Sequence, residues 1–529
     1  MKTNNSIITT SIFIILLNMT ILRAFSQESA ITWSPEFVEG KGDRMGQILH
    51  DNGDASYVFA YNLTRKDKIT PGIIKFNSSM QPVQRKDYNA NVDQDTEMFL
   101  IGLFYCGGKF IMLTNTNNNK SKSMKVYATF IDQNTLDPIS EAKEIMSIED
   151  IYIDYKLKLR YVISPDSLSF GVLGITYEAK KMSMPTFKEP QKIIFKVFDS
   201  HLNTINERNM ELECLLFKYN VVDYELDNQG TIVVISQEYI EAPTSSYRNS
   251  KNGKIPNFDI FISSYSPEKA NTKHKIALGS YFLNSISLEL IPESENMIVF
   301  STWRDEYDKS RIMECNFLIL NKKSCAIITQ KKIEISKELI AEVNKKDDAG
   351  TAEFKRDIYL HSTFRVSELK ATADGRIYVL LEQNFTDSPK IFSYGIITFL
   401  FDTTGEQKWA KYLAKKQVFV NNDLYMYTSS IIKDDKIIIL YNEHDKINEN
   451  DPVLTDKKPR VFDSWTSSVL MQTELFNDGK MERKTLASSK VMGTPISIGR
   501  SKQGADNRYF LYGWQIKEDI YKIGLVNIQ

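Results

Sequence analysis

Acidic, amide and tryptophan side chains follow apolar runs at several points of the chain, and one of these points is rich in chemically useful groups. The apolar run KIIIL ends at Tyr441 and is followed by the polar stretch YNEHDKINENDP. His444 has an acidic neighbour on each side, Glu443 and Asp445, an arrangement that suits a general base or a metal ligand. A histidine in an exposed loop explains the same residues, and it is the interpretation that we favour.

The other apolar runs end in comparable residues, and together they form one set of candidate binding residues. The set consists of Glu178, Glu238, Trp303, Arg304, Asp305, Glu382, Asn384, Asn442, Glu443, His444 and Trp514. If these side chains converge, they form a polar ring with aromatic rims, which suits a carbohydrate or a peptide. The simpler interpretation is that strands turn polar where they emerge into water. Pairs of carboxylates also suit glycoside hydrolysis, but spacing in the sequence gives no distance between them.

Motifs with stricter spacing are absent from the sequence. It contains no GxSxG, HExxH, GxxxxGK or GxGxxG. The stretch NENDP does not follow the EF-hand pattern, because the sixth residue from Asn448 is Val453 rather than glycine. A looser calcium loop stays open as an alternative, and we predict no cofactor and no metal site. No CxxC occurs, so a structural zinc site has no support. Export would permit disulfides, but a core of this size needs none, and we expect buried free thiols at Cys106, Cys214, Cys315 and Cys325.

The elements that position the candidates follow one repeated order. Short runs rich in Ile, Val, Phe and Tyr alternate with Asn, Asp, Gly, Ser and Lys, which is typical of strands and turns. Each copy has four strands, with tight first and third turns and a longer middle loop. We count eight copies of about 55–80 residues, and four-stranded units repeated in this way are typical of a β-propeller. The sequence therefore predicts an all-β chain with eight blades; seven blades or two β-sandwich domains are the alternatives.

The last copy lacks its fourth strand, while an unpaired strand-like segment, ITWSPEFVEG, lies near the N-terminus. We predict that this segment completes the last blade and closes the ring, since closure removes exposed sheet edges. The stretch ISKELIAEVNKK predicts one helix between Ile335 and Lys346.

The long loops gather on one face of the predicted disc. The middle loops are predicted at Glu178–Gln191, Glu238–Asn257, Arg304–Arg311, Gln383–Phe392 and Asn442–Ser464. Loops on a rigid scaffold commonly carry binding residues. A site is therefore expected on this face or at the mouth of the central channel.

The first 26 residues differ from the rest. Lys2 precedes an apolar run, and small residues precede Gln27, which is the layout of a secretory signal peptide cleaved after Ser26. The rival is an uncleaved anchor, but the run is shorter than the ~20 residues that a span needs, and Arg23 interrupts it. We predict an exported protein, periplasmic, at the cell surface or extracellular, with one domain over 27–529 and no transmembrane segment after cleavage. Lys and Arg number 66 against 67 Asp and Glu, which argues against nucleic-acid binding.

The segment DTTGEQKW, Asp402–Trp409, resembles the blade motif of quinoprotein-like propellers, in which the tryptophan packs one blade on the next. A longer stretch, Ser367–Gln529, resembles exported quinoprotein-like or WD40-like propeller proteins of unassigned function in Bacteroidota. It carries FDTTGEQKWAKYLAKKQ, IIKDDKIIILYNEH and FNDGKMERKTL. In that group the strand end usually reads Y-N-D, and here Glu443 replaces the Asp. The resemblance implies a protein of the cell envelope and assigns no catalytic residue.

Three functional hypotheses follow. The first is an exported, non-catalytic propeller that binds a protein or glycan partner through its long-loop face. The second is a propeller hydrolase that acts on glycans or peptides with the strand-end carboxylates. The third is a structural component of the envelope. Convergence of Glu178, Glu238, Asp305, Glu382 and Glu443 would support a common site.

Overall fold

The computed structural model describes most of the chain from residue 31 to residue 528. The described residues are 31–38, 43–63, 69–88, 98–118, 123–148, 156–177, 190–215, 219–241, 247–250, 253–276, 281–304, 311–344, 360–387, 390–420, 426–445, 460–461, 467–505, 508–515 and 520–528. The predicted signal peptide and its cleavage point lie outside them.

Eight antiparallel four-stranded sheets confirm the prediction of an eight-bladed β-propeller. The first strands of blades 1 to 6 contact one another in order, on the inner side of the ring. From blade 1 to blade 8 they are β3 (Asp43–Asp51), β7 (Met98–Cys106), β11 (Lys156–Ile163), β15 (Tyr219–Leu226), β21 (Phe282–Leu290), β26 (Phe364–Ala371), β30 (Thr428–Lys433) and β35 (Lys502–Gln503). The second strands are β4 (Ala55–Leu63), β8 (Lys109–Asn118), β12 (Ser169–Tyr177), β16 (Ile232–Tyr239), β22 (Asn296–Arg304), β27 (Ile377–Asp387), β31 (Lys436–His444) and β36 (Arg508–Gln515).

The third and fourth strands complete each sheet outward. The third strands are β5 (Ile69–Asn77), β9 (Ser123–Ile131), β13 (Pro190–Asp199), β19 (Phe258–Tyr265), β23 (Arg311–Asn321), β28 (Lys390–Phe401), β33 (Ser468–Phe476) and β37 (Ile520–Asn527). The fourth strands of blades 1 to 7 are β6 (Pro82–Asp87), β10 (Lys143–Ile148), β14 (Thr204–Leu215), β20 (Thr272–Ile276), β24 (Ile327–Ile333), β29 (Gln407–Val420) and β34 (Met481–Ser488).

The N-terminal segment supplies the missing outer strand of blade 8, as predicted. Strand β1 (Ile31–Trp33) pairs antiparallel with β37, and β2 (Phe37–Val38) extends the pairing. Between them, the N–H of Ser34 donates to the Ile523 carbonyl at 2.8 Å, and the N–H of Ile523 donates to Ser34 Oγ at 3.0 Å. The two ends of the described chain are therefore joined within one sheet.

Smaller elements decorate the blades. Four further strands are β17 (Tyr247–Ser250) and β18 (Gly253–Pro256), which form a hairpin, β25 (Leu360–His361) and β32 (Arg460–Val461). Helix α1 (Lys337–Asn344) confirms the predicted helix and buries Leu339 and Val343 in the core between blades 5 and 6. A second short helix, α2 (Ser489–Met492), and a 3-10 turn, Ile498–Arg500, precede β35.

The core lies between neighbouring blades, and this explains the long apolar runs of the second strands. Side chains alternate across a strand, so both faces of a blade must be apolar when a blade packs on each side. In β27, Tyr378 and Leu380 pack toward blade 7, whereas Ile377 and Val379 pack toward blade 5. The tryptophan of DTTGEQKW also behaves as its motif implies, since Trp409 Nε1 donates to the Asn477 carbonyl of blade 7 at 3.0 Å.

One predicted loop is wrong. The stretch Gln383–Phe392 is not a long loop, because β27 and β28 stay paired as far as Asp387 and Lys390. Phe385 and Phe392 face each other across this extension, with ring centroids 4.6 Å apart and planes within 8°. Such cross-strand aromatic pairs stabilise antiparallel sheets, which explains why the ladder continues past the polar residues.

Most of the tight third turns are held by side-chain to backbone hydrogen bonds, and the residues that make these bonds can be recognised in the sequence. In blades 1 to 3, 5 and 6, an Asn or Asp at the end of the third strand accepts N–H groups from the residues that follow; Asp199, for example, accepts from His201 and Asn203 at 2.8 Å. In blades 1 to 3 and blade 5 the turn then places an apolar residue at positive φ: Met80, Leu136, Leu202 and Cys325. All four are buried, so apolar packing offsets an unfavourable backbone conformation.

Candidate functional site

The strand-end residues do not form one ring. Glu178 and Asp305 lie outside the described residues. Glu238 forms an ion pair with Lys273 of its own blade at 2.8 Å and does not join the other carboxylates. Arg304 is half-buried at the end of β22, and the N–H of Asn384 donates to the Thr363 carbonyl at 3.3 Å.

The two candidate tryptophans belong to the core between blades. Trp303 is 2% exposed, and its Nε1 donates to Ser301 Oγ at 2.9 Å. Trp514 is 8% exposed and stacks on Tyr521, with ring centroids 5.3 Å apart. Neither ring forms an exposed aromatic rim, because alternation along each strand directs both rings toward the neighbouring blade.

Two of the candidate carboxylates, Glu382 and Glu443, come together between blades 6 and 7. Both follow the apolar residues of a second strand on the face that meets the other blade. Lys415 from the outer strand β29 lies between the blades, with its side chain fully buried. Its Nζ donates to Glu382 Oε1 at 2.9 Å and to the Met426 carbonyl at 2.6 Å. Thr428 Oγ1 donates to the other oxygen of Glu382 at 3.2 Å.

Glu443 is more isolated than Glu382. Its Oε1 accepts the N–H of His444 at 3.0 Å, and its Oε2 has no hydrogen-bond partner among the described residues. Burial raises the pKa of Glu443 to about 7, although the charges of Arg483 and Lys415 lower it. A carboxyl that is 1% exposed cannot reach a dissolved substrate. The pair is therefore a structural contact between blades.

Asn442 and His444 point to the opposite side of β31, toward blade 8. Asn442 Nδ2 donates to the Ile496 carbonyl at 2.7 Å. His444 Nδ1 lies 2.9 Å from Asp445 Oδ1, and the residue is 8% exposed. The expectation of a histidine in an exposed loop is wrong, because β31 extends through His444 and the neighbouring blade covers it.

A cavity of ≈ 340 Å³ opens instead at the mouth of the central channel. It is built from the ends of the first strands of blades 8, 1, 2 and 3, next to the short first turns. Its walls are Gln47, Ile48, Leu49, His50, Asp51, Phe104, Tyr105, Tyr161, Ile163, Ser164, Ser167, Lys502, Gln503 and Gly504. The cavity is thus at the mouth opposite to the long middle loops.

Aromatic rings form much of the cavity wall. The rings of His50 and Tyr105 are stacked, with centroids 3.5 Å apart and planes within 9°. Tyr161 stacks on Phe104 at 4.9 Å. Gly102 makes that placement possible, since a Cβ at this position would lie 2.2 Å from Tyr161 Cε1. The half-buried rings of His50, Tyr105 and Tyr161 provide faces for stacking, and Gln47 and Gln503 add exposed amides.

The two charged groups of the cavity, Asp51 and Lys502, differ in their bonding partners. Asp51 is buried and bound to Arg508 of blade 8, whose Nε lies 3.0 Å from Asp51 Oδ2. The ammonium group of Lys502 makes no hydrogen bond or ion pair with the part of the chain that the structure describes, although the residue pairs with Phe510 in the sheet. Its side chain is open to the channel, but the surrounding wall displaces water, and this burial lowers the pKa of Lys502.

Further carboxyls with raised pKa values lie on the first strands of blades 4 and 5. Burial raises the pKa of Glu225 to about 7, and Asp223 adds to the effect. Burial and the charge of Glu225 raise the pKa of Glu289 to about 8. Asp223 itself accepts the N–H of Leu288 at 2.9 Å. Comparison of strand ends along the sequence did not single out any of these residues.

The cavity residues were also absent from the sequence-based candidates. The sequence-based candidates lie at the ends of the second strands, whereas the cavity residues lie at the ends of the first strands. Read in the same way, they end in HD at 50–51, YC at 105–106, IS at 163–164 and KQG at 502–504.

The described ranges contain neither a metal-binding cluster nor a membrane-spanning helix. No group of three His, Cys, Asp or Glu side chains there is arranged to hold a metal ion. No helix within them is long and apolar enough to cross a membrane. Cys106, Cys315 and Cys325 are buried free thiols, as expected, and the side chain of Cys214 lies outside the description.

No family model matches this chain, and no curated protein matches it. Solved structures resemble it in fold. The β-propeller domain of the trilobed protease from Pyrococcus furiosus is 14% identical over 85% of this chain and 99% of that domain, with a TM-score of 0.35. An uncomplexed acylaminoacyl peptidase from Pyrococcus horikoshii is 12% identical over 90% of this chain and 58% of its own, with a TM-score of 0.37.

The polysaccharide lyase Uly1 is 7% identical over 93% of this chain and 91% of its own, with a TM-score of 0.40. Likenesses at these identities and TM-scores carry no argument about the function of this chain.

Proposed function

We propose that this β-propeller is a binding protein that takes up part of a glycan at the channel mouth. The observation that carries the proposal is the ≈ 340 Å³ cavity, which combines aromatic faces with exposed amides. Its volume lies within the range of small-molecule sites, which is roughly 300–1,000 Å³. Sugar rings present C–H faces that stack on aromatic rings, and hydroxyl groups that bond to amides such as Gln47 and Gln503.

The proposed binding site is therefore not on the long-loop face but at the opposite mouth of the channel. The strand-end residues supply little support for a site, because Glu382 is engaged by Lys415 and Glu443 is buried. For the same reason they are poor catalytic groups, since a general acid must reach the substrate.

The second candidate function, a propeller hydrolase, is favoured by one observation. Glu225 and Glu289, on the first strands of blades 4 and 5, have pKa values raised to about 7 and about 8, so that a protonated acid is present near neutral pH. New reducing ends released by the wild-type protein from a bound oligosaccharide would support this alternative.

Filling the cavity tests the binding proposal. Gln503 is exposed in the short strand β35 and lines the cavity, so Gln503→Trp should obstruct it without disturbing the core. We expect loss of oligosaccharide binding by at least about tenfold, measured by calorimetry with the mature chain against neutral and charged oligosaccharides. Gln330→Trp, on the exposed face of outer strand β24, is the matched control. Equal affinities of the wild type and Gln503→Trp would contradict the proposal.

We also propose that the protein is exported to the cell envelope. The layout of the first 26 residues supports this proposal, as does the resemblance of Ser367–Gln529 to exported propeller proteins. Expression of the full chain in a Gram-negative host should yield a protein outside the cytoplasm. Its intact mass should match that of a chain that begins at Gln27. A full-length mass in the cytoplasmic fraction would contradict export.

A further inference from the structure

We infer that the sugar residue held in this cavity carries a negative charge, as a carboxylate or a sulfate ester, and that Lys502 binds it. The inference rests on the proposed function and narrows it from glycans in general to acidic glycans. The observation behind it is an ammonium group in the cavity wall that has no counter-ion among the described residues.

The nearest carboxylate of the wall is already engaged and cannot serve Lys502. Asp51 accepts from Arg508 with both oxygens, from Ser56 Oγ at 3.0 Å and from the N–H of Ala505 at 2.9 Å. These donors fill the acceptor positions of a carboxylate and neutralise its charge. The wall therefore keeps one uncompensated positive charge.

His50 does not add a second cation. Burial lowers the pKa of His50, Asp51 raises it, and the nearby Lys502 lowers it, with a net decrease from the ordinary value. At neutral pH the ring is an uncharged stacking surface on Tyr105. The site thus offers one cation beside aromatic faces, which matches a sugar with one anionic substituent better than a multiply charged ligand.

The surroundings of Lys502 favour binding of an anionic sugar substituent. Lys502 lines the cavity, where burial lowers its pKa, and no described residue supplies an acceptor for its ammonium group. A charge-assisted hydrogen bond in such surroundings is worth more than one in open water. An anionic substituent would supply the missing acceptor, whereas a neutral sugar would leave the ammonium unpaired.

The test compares ligands that differ only in charge. The probes are a disaccharide ending in a uronic acid, its methyl ester, the corresponding neutral disaccharide and a sulfate ester, each titrated into the wild-type mature chain. We expect the acid or the sulfate to bind about ten to a hundred times more tightly than the ester and the neutral sugar. The separate acid and sulfate titrations show which anionic group the site takes.

The variant Lys502→Met removes the charge and keeps most of the length of the side chain. We expect it to lower the affinity for the acidic disaccharide to that for the methyl ester. Lys490→Met, at an exposed lysine of α2, is the matched control and should change neither.

The outcomes separate the inference from the proposed function. Equal affinity of the wild type for the acid, the ester and the neutral sugar would overturn the acidic specificity and leave glycan binding in place. Unchanged binding of the acid by Lys502→Met would overturn the role of Lys502. Absence of binding by all four sugars would overturn both the proposed function and the inference.

Discussion

Replacing Arg508 by Met is expected to lower the free energy of unfolding by about 3–5 kcal/mol. Arg508 begins β36 of blade 8, and its guanidinium group binds Asp51 at the end of β3 in blade 1 and also the Gly53 carbonyl at 2.7 Å. The side chain of Asp51 is 1% exposed, so Arg508→Met leaves a buried carboxylate without its cation. The loss is measured by urea denaturation followed by tryptophan fluorescence.

Two further variants define the origin of that loss. Lys480→Met breaks an exposed ion pair with Glu482 and should change the free energy of unfolding by only about 0–1 kcal/mol. The double variant Asp51→Leu, Arg508→Met removes both charges and should be more stable than Arg508→Met alone. A double variant as unstable as the sum of the single ones would show that packing, and not the unpaired charge, explains the effect.

Replacing Lys415 by Met is the second prediction with a large effect, again about 3–5 kcal/mol of unfolding free energy. The Lys415 side chain is fully buried between blades 6 and 7, where it binds Glu382 at 2.9 Å and lies near Glu443. Removing it leaves Glu382 with only Thr428 as a hydrogen-bonding side-chain partner among the described residues. Urea denaturation of the variant measures the loss.

The partner substitution identifies the cause. Adding Glu382→Gln to Lys415→Met removes the stranded charge and should restore part of the lost stability. Lys86→Met, which breaks an exposed ion pair with Asp137, is the control and should have an effect of about 0–1 kcal/mol. If Lys415→Met changes stability no more than Lys86→Met, the buried contact does not join the blades.

The repeated blade could be predicted because its signals are local. Apolar runs such as IIIL in β31 indicate that neighbouring blades cover both faces of a second strand. Asn or Asp at the strand ends predicts the tight turns. The closing strand could also be predicted, since the last copy lacked one strand and an unmatched segment lay at the other end.

The fate of the strand-end residues could not be predicted in the same way. A Glu after an apolar run reads the same whether the strand emerges into water or continues under a neighbouring blade. Glu443 is buried because Lys415 and Gln417 of the outer strand of blade 6 lie near it, and nothing in YLAKKQ distinguishes Lys415 from an exposed lysine. The sequence predicted a site on the long-loop face, whereas the cavity lies at the opposite end of the strands.

The sequence by itself determined the number of blades, the order of their strands and the closure of the ring. These properties follow from the two-residue alternation of strands and from turn chemistry, which act between residues close together in the chain. Only the tertiary structure decided which polar strand ends are buried and where a cavity opens. His50 and Lys502 share one wall because ring closure places blade 8 beside blade 1, and contacts between residues so far apart depend on packing rather than on local pattern.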